Sequence, residues 1–115
     1  LIGWITDKDG RNGVLEIKTT NVMSSRQKEK WHDQIPSQYY CQVLWYLGIT
    51  EFEFAKLKAQ LRWVIEGEVY CQVKHYHIER SEVEEDIKYL FDAAERFWDE
   101  NIEKRIKPAL ILPEL

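Results

Sequence analysis

The 115-residue sequence has no run approaching the roughly 20 apolar residues of a membrane-spanning helix, and it opens with neither a methionine nor a basic, apolar leader. No membrane association is expected, and the chain reads as a soluble, cytoplasmic stretch that starts partway into a longer protein. Cysteine is scarce: Cys41 and Cys71 lie far apart, with no CxxC spacing and no matching histidine pair. That excludes a disulfide framework and a structural zinc site, fits a reducing compartment, and leaves both thiols as core residues. An excess of positive charge is also missing, because 16 lysines and arginines stand against 20 aspartates and glutamates, for a net charge of -4. A binder that works by bulk basic charge is thereby excluded, although a local basic surface is not.

What is present suffices for one hydrophobic core and is too short for two, since 44% of residues are hydrophobic and 13% aromatic. LIGWIT and GVLEIKTT are β-prone runs separated by the turn-rich DKDGRN, which predicts a hairpin over residues 1–20 with its second strand starting near Gly13. Residues 21–34 are polar and basic without a sustained period and read as a mobile loop. IPSQYYCQVLWYLGIT then takes helical spacing over roughly 36–47, with Pro36 in the first turn and Gly48 as the stop. EFEFAKLKAQLRWVI alternates with a period of two, as does VYCQVKHYHIE after the Glu66-Gly67-Glu68 turn, so a second strand pair is expected. Finally Ser81 and Glu84 make a capping-box pattern, and Val83, Ile87, Leu90, Phe91, Ala94, Trp98 and Ile102 recur at helical spacing until Pro108. The order β, β, α, β, β, α predicts an α/β domain, a mixed β-sheet flanked by helices, with the last helix covering one sheet face.

Within GVLEIKTT, Glu16 and Lys18 share one face of the strand while Leu15 and Ile17 point to the other. A carboxylate there can hold a hard divalent cation, which keeps several waters, and a lysine beside it can orient a water or neutralise charge on a phosphate. An exposed ion pair on an edge strand, worth at most about 1 kcal/mol, gives the same tripeptide. Gln42 and Tyr46, four residues apart, share a helical face with Gln38 one turn earlier. Tyr39, Tyr40, Leu44 and Trp45 read as helix-to-sheet packing, whereas an amide among aromatic residues needs hydrogen-bond partners if buried.

GVLEIKTT, a polar loop and IPSQYYCQVLWYLGIT, in that order and at that separation, resemble the YqaJ-type viral recombinase family. These are relatives of phage lambda exonuclease in the PD-(D/E)xK nuclease superfamily. Glu79, Arg80, Glu82 and the segment AAERFWDENI carry the likeness to about residue 105. The resemblance implies a restriction-endonuclease-like core, with residues 1–115 forming a single nuclease-type domain. It would be the C-terminal part of a longer exonuclease domain whose N-terminal helices precede it. It further implies a Mg²⁺-dependent exonuclease, Mn²⁺ being an alternative ion, that degrades one strand of linear duplex DNA from the 5′ end during phage recombination. Homo-oligomers and a single-strand annealing protein as partner belong to the same expectation.

Carried across residue by residue, Glu16 and the backbone carbonyl of Ile17 would be metal ligands, Lys18 the catalytic lysine, and Gln42 and Tyr46 the helix motif lining the site. The family also has an aspartate on the preceding strand, and here Ile2 stands in its place. Three explanations stay open: a catalytically inactive relative that binds DNA or serves assembly, an aspartate supplied by Asp7, or a shifted alignment of the first strand. Asp9 reads as a turn residue. Lys56, Lys58 and Arg62 on one strand face, with Arg26, Lys28 and Lys30 in the loop, are candidates for sequence-independent phosphate contact. Lysines on a solvated strand face account for the first group equally well. Trp31 and His32 fit either base stacking or local packing. His75 and His77 share a strand face without further ligands nearby and read as exposed strand residues.

Overall fold

The computed structural model describes residues 1–105. Four strands, β1 (Ile2–Thr6), β2 (Asn12–Asn21), β3 (Phe54–Ile65) and β4 (Glu68–Glu79), form one sheet in the order β1-β2-β3-β4. The outer pairs are antiparallel and the central pair, β2 with β3, is parallel. A parallel pair needs a long crossover. It is made here by a short helix α1 (Ser25–Glu29) and the longer α2 (Ser37–Thr50). After β4 comes a 3₁₀ turn (Arg80–Glu82), then α3 (Glu84–Phe97), which continues into one π-helical turn (Trp98–Glu103). The expected α/β class with a mixed, helix-flanked sheet is thus present.

The period-two pattern decides which face is covered. Directly paired residues point to the same side, so Val14, Glu16, Lys18 and Thr20 of β2 align with Ala55, Leu57, Ala59 and Leu61 of β3. On this face α2 places Val43, Leu44 and Leu47, all buried, against Val14 and Ala55. Leu44 and Leu47 are completely buried, so truncating either to alanine is expected to cost about 2–5 kcal/mol. The other face carries Ile17, Lys56, Lys58 and Arg62 in register, all exposed, and among the described residues no helix covers it.

Several local expectations are revised. The stretch 21–34 is not a featureless loop: Ser24 caps α1 by accepting from the Gln27 amide at 3.2 Å, and Trp31 is buried against Leu57, Ala59 and Leu61. Gly48 does not stop the second helix. That helix runs to Thr50 and ends at Glu51, whose left-handed φ of 58° lets its amide bond Leu47 O at 3.0 Å. Arg80 reaches the same helix end, donating to Leu47 O and, at 3.3 Å, to Phe52 O. The capping box at Ser81 and Glu84 does not form, because Ser81 belongs to the 3₁₀ turn and Val83 holds the cap position without a side-chain bond. Glu84, Glu85 and Asp86 instead place negative charge in the first turn of α3. That helix packs mainly on α2 rather than over the sheet, with only Ile87 buried. Pro108, read as the helix stop, lies outside the described residues.

Gly48 has a packing role instead. A Cβ there would collide with the ring of Phe91, which stacks on Trp45 at 4.5 Å between centroids. Gly48→Ala should therefore destabilise the protein by about 1–3 kcal/mol in urea unfolding, despite the better helix propensity of alanine. An unchanged or raised midpoint would show that the α2–α3 contact is not close-packed.

Candidate functional site

Glu16 occupies a core position of β2 and is 2% exposed, the only buried charged residue among those described. Its Oε1 lies 3.3 Å from Lys18 Nζ, while Oε2 is buried without a hydrogen-bond partner. An unpartnered buried carboxylate oxygen is costly and uncommon. It is therefore the feature of the fold that most needs an explanation from outside the protein's own contacts. Lys18 is one step further along the same face, its side chain 24% exposed, so the pair spans the passage from core to solvent.

The edge strand supplies the surroundings. Leu1 and Ile17 exchange both ladder bonds, at 3.1 and 2.8 Å, which makes the adjacent Ile2–Glu16 pair the close, non-hydrogen-bonded kind with side chains on one face. The hairpin register thus sets Ile2 directly opposite Glu16, and a hydrocarbon faces the carboxylate. The Leu1 nitrogen lies 3.1 Å from Ile17 O and 3.5 Å from Glu16 Oε1, so the edge strand passes directly beside both oxygens.

Asp7 does not come to this place. It sits in the hairpin turn, five residues and roughly 17 Å along the chain from Ile2. Its carboxylate accepts from the Arg11 backbone and Nε, each at 2.9 Å, and from the Asp9 amide at 3.0 Å. Desolvation works to raise its pKa, but these bonds together hold it below the usual carboxylate value. Arg11 also forks onto Glu79 at 2.9 and 3.1 Å, and His77 meets Glu79 at 2.7 Å. Asp7, Arg11, Glu79 and His77 form a structural network that ties the hairpin turn to β4. Glu79 and Arg80, part of the late motif, thus serve as a strand tie and a helix-end cap.

The Gln42 amide donates to Tyr46 Oη at 3.1 Å, so these two residues are paired on the helix that covers the Glu16 face. Among the described residues no group of three histidine, cysteine, aspartate or glutamate side chains is placed to hold a metal ion. The donors at Glu16 are one carboxylate and the Ile17 carbonyl. The Ile17 carbonyl already accepts from Leu1 N at 3.1 Å, whereas Glu16 Oε2 is unpartnered, and a hard divalent cation that keeps several waters can bind through as few as one or two carboxylates.

The basic candidates separate into two groups. Arg26 and Lys30 are exposed at α1, whereas Lys28 lies over the Trp63 ring at 4.0 Å. Lys56, Lys58 and Arg62 pair with Leu15, Ile17 and Asn21, on the sheet face opposite Glu16 and Lys18. Trp31, 4% exposed, is a packing anchor, while His32 is exposed beside Asp33 at 3.4 Å. The sequence reading missed Arg11 as a hub. Its only signal was its place at the end of a hairpin turn.

Residues 3–53, from the first strand to the segment after α2, match the family model described as the YqaJ-like viral recombinase domain. The resemblance to the YqaJ-type family is borne out over that span, which is narrower than the one reaching about residue 105. No curated protein and no solved structure matches the chain.

Two consequences are measurable. Glu16→Met removes a buried, half-satisfied carboxylate, and is expected to leave stability unchanged or raise it by about 1–2 kcal/mol. A loss above that size in denaturant unfolding would make Glu16 a structural residue. Glu79 is held at a pKa of about 2, first by the Arg11 hydrogen bond and then by that from His77. A depressed folded pKa contributes stability above the unfolded value of about 4.5 and loses it as pH falls towards about 2. In Glu79→Gln the stability profile should be flatter across that window.

Proposed function

We propose that this chain carries the catalytic centre of a metal-dependent deoxyribonuclease of phage-type recombination, built on a restriction-endonuclease-like core. The observation that carries the reading is the core carboxylate of Glu16 with one oxygen unpartnered and Lys18 Nζ 3.3 Å from the other. Glu16 and the Ile17 carbonyl would hold Mg²⁺ or Mn²⁺, and the ion when bound would supply Lewis-acid stabilisation of the scissile phosphate. Lys18 orients the attacking water and neutralises charge that develops on phosphate oxygens. Gln42 and Tyr46, paired on α2, would line the wall facing that water. The family likeness supports linear duplex DNA as substrate, digestion from the 5′ end, a homo-oligomeric enzyme and a single-strand annealing protein as partner. Arg26, Lys28 and Lys30 in the crossover, and Lys56, Lys58 and Arg62 on the far face, are the proposed backbone contacts.

A second reading, a non-cleaving DNA-binding or assembly module of the same fold, is favoured by one observation: Ile2 faces Glu16 where a second carboxylate would complete the ligand set.

Digestion of linear, 5′-phosphorylated duplex by the full-length protein that contains this chain separates the two. Mg²⁺-dependent loss of one strand, abolished by EDTA, is expected. Glu16→Gln and Lys18→Ala should each lower the rate by about 100-fold or more. Ile2→Asp should raise the rate at limiting Mg²⁺. Duplex binding without cleavage in the parent, with cleavage appearing only in Ile2→Asp, would establish the second reading.

A further inference from the structure

A lysine ammonium is a point charge on a flexible four-carbon stem, and one carboxylate neighbour does not fix where it points. In this structure Lys18 has a second neighbour. Its Nζ lies 5.3 Å from the ring centroid of Tyr39, in the first turns of α2, a distance at which the ring's negative face attracts a cation. The ring is itself held: Tyr39 stacks on Trp31 at 5.3 Å with planes 24° apart, and Trp31 lies 6.1 Å from Tyr76. Trp31 is fixed by its burial and by its carbonyl, which accepts from Tyr76 Oη at 2.7 Å and Lys74 Nζ at 3.0 Å. A column of rings therefore runs from β4 through the crossover to the ammonium, and Glu16 Oε1 meets that ammonium 3.3 Å away.

We infer that Tyr39 is a positioning residue for Lys18: its ring, buttressed by Trp31 and Tyr76, and the Glu16 carboxylate together hold the ammonium at the mouth of the site. This rests on the nuclease reading for its catalytic consequence but not for its geometry. It gives a helix residue that pattern alone assigns to packing a role at the reacting end of the strand. It also gives the crossover a function, since Trp31 can buttress the ring only if α1 brings residues 30–31 back against the sheet.

The test uses the full-length protein with three changes at one position: Tyr39→Phe, Tyr39→Leu, and replacement by 3,4,5-trifluorophenylalanine. The last keeps the shape of phenylalanine and removes the negative ring face. Two readouts are taken: the acylation rate of Lys18 against the other lysines by competitive labelling and mass spectrometry, and kcat and KM for duplex digestion across pH. Tyr39→Phe should behave as the parent in both. Tyr39→Leu and the trifluorinated variant should label Lys18 about 3- to 10-fold faster and lose about 3- to 10-fold in kcat, with KM unchanged. Trifluorophenylalanine indistinguishable from phenylalanine in Lys18 labelling would overturn the inference and return Tyr39 to packing, whether or not Tyr39→Leu folds. Equal defects in Tyr39→Phe and Tyr39→Leu would overturn it in favour of the hydroxyl. If the parent does not cut DNA, the nuclease reading fails while labelling still decides the positioning role.

Discussion

A carboxylate seated among Val14, Leu57 and Ala59 in the register of the central strands is the constraint around which this fold is arranged. Burying a charged group without full hydrogen bonding opposes folding, so the rest of the face has to compensate by close packing. The parallel pairing of β2 with β3 makes this arrangement achievable. It requires a crossover, the crossover contains α2, and α2 seals the face with Val43, Leu44 and Leu47 while Lys18 keeps partial exposure. The residues that stabilise the domain and those that would act on a substrate therefore stand on the same side of the same sheet.

Much of this was legible from side-chain alternation. Strands over EFEFAKLKAQLRWVI and VYCQVKHYHIE, the helix after Pro36, and Glu16 beside Lys18 all follow from a period of two or of 3.6, which local sequence carries directly. The missed features depend on residues far apart in sequence. Gly48 resembles a helix stop until Phe91 is seen against it, and Ser81 resembles a cap until the 3₁₀ turn takes it up. Asp7 was open as a site carboxylate because hairpin register is not written in the strands alone. Arg11 resolves that question by engaging Asp7 at the turn.

The network at Arg11 holds the turn separately from the Glu16 site. Arg11 joins Asp7 to Glu79 across three strands and lies over the Phe54 ring at 5.2 Å, which in turn stacks on His77. These contacts fix the end of the sheet remote from Ile2, so the register that sets Ile2 against Glu16 is anchored from a distance. The identity of the side chain at position 2 can then change without loosening the hairpin.

The placement of the cations has a geometric consequence for any nucleic acid held here. Lys56, Lys58 and Arg62 face away from Glu16 with the thickness of the sheet between them. A polyanion touching both would have to bend around an edge, and β1, a five-residue strand with an exposed outer flank, is the edge beside Glu16. The sheet thus behaves as a partition with a low rim. Whatever lies against its basic side and whatever reaches Glu16 are either two separate segments or one segment that has turned the corner.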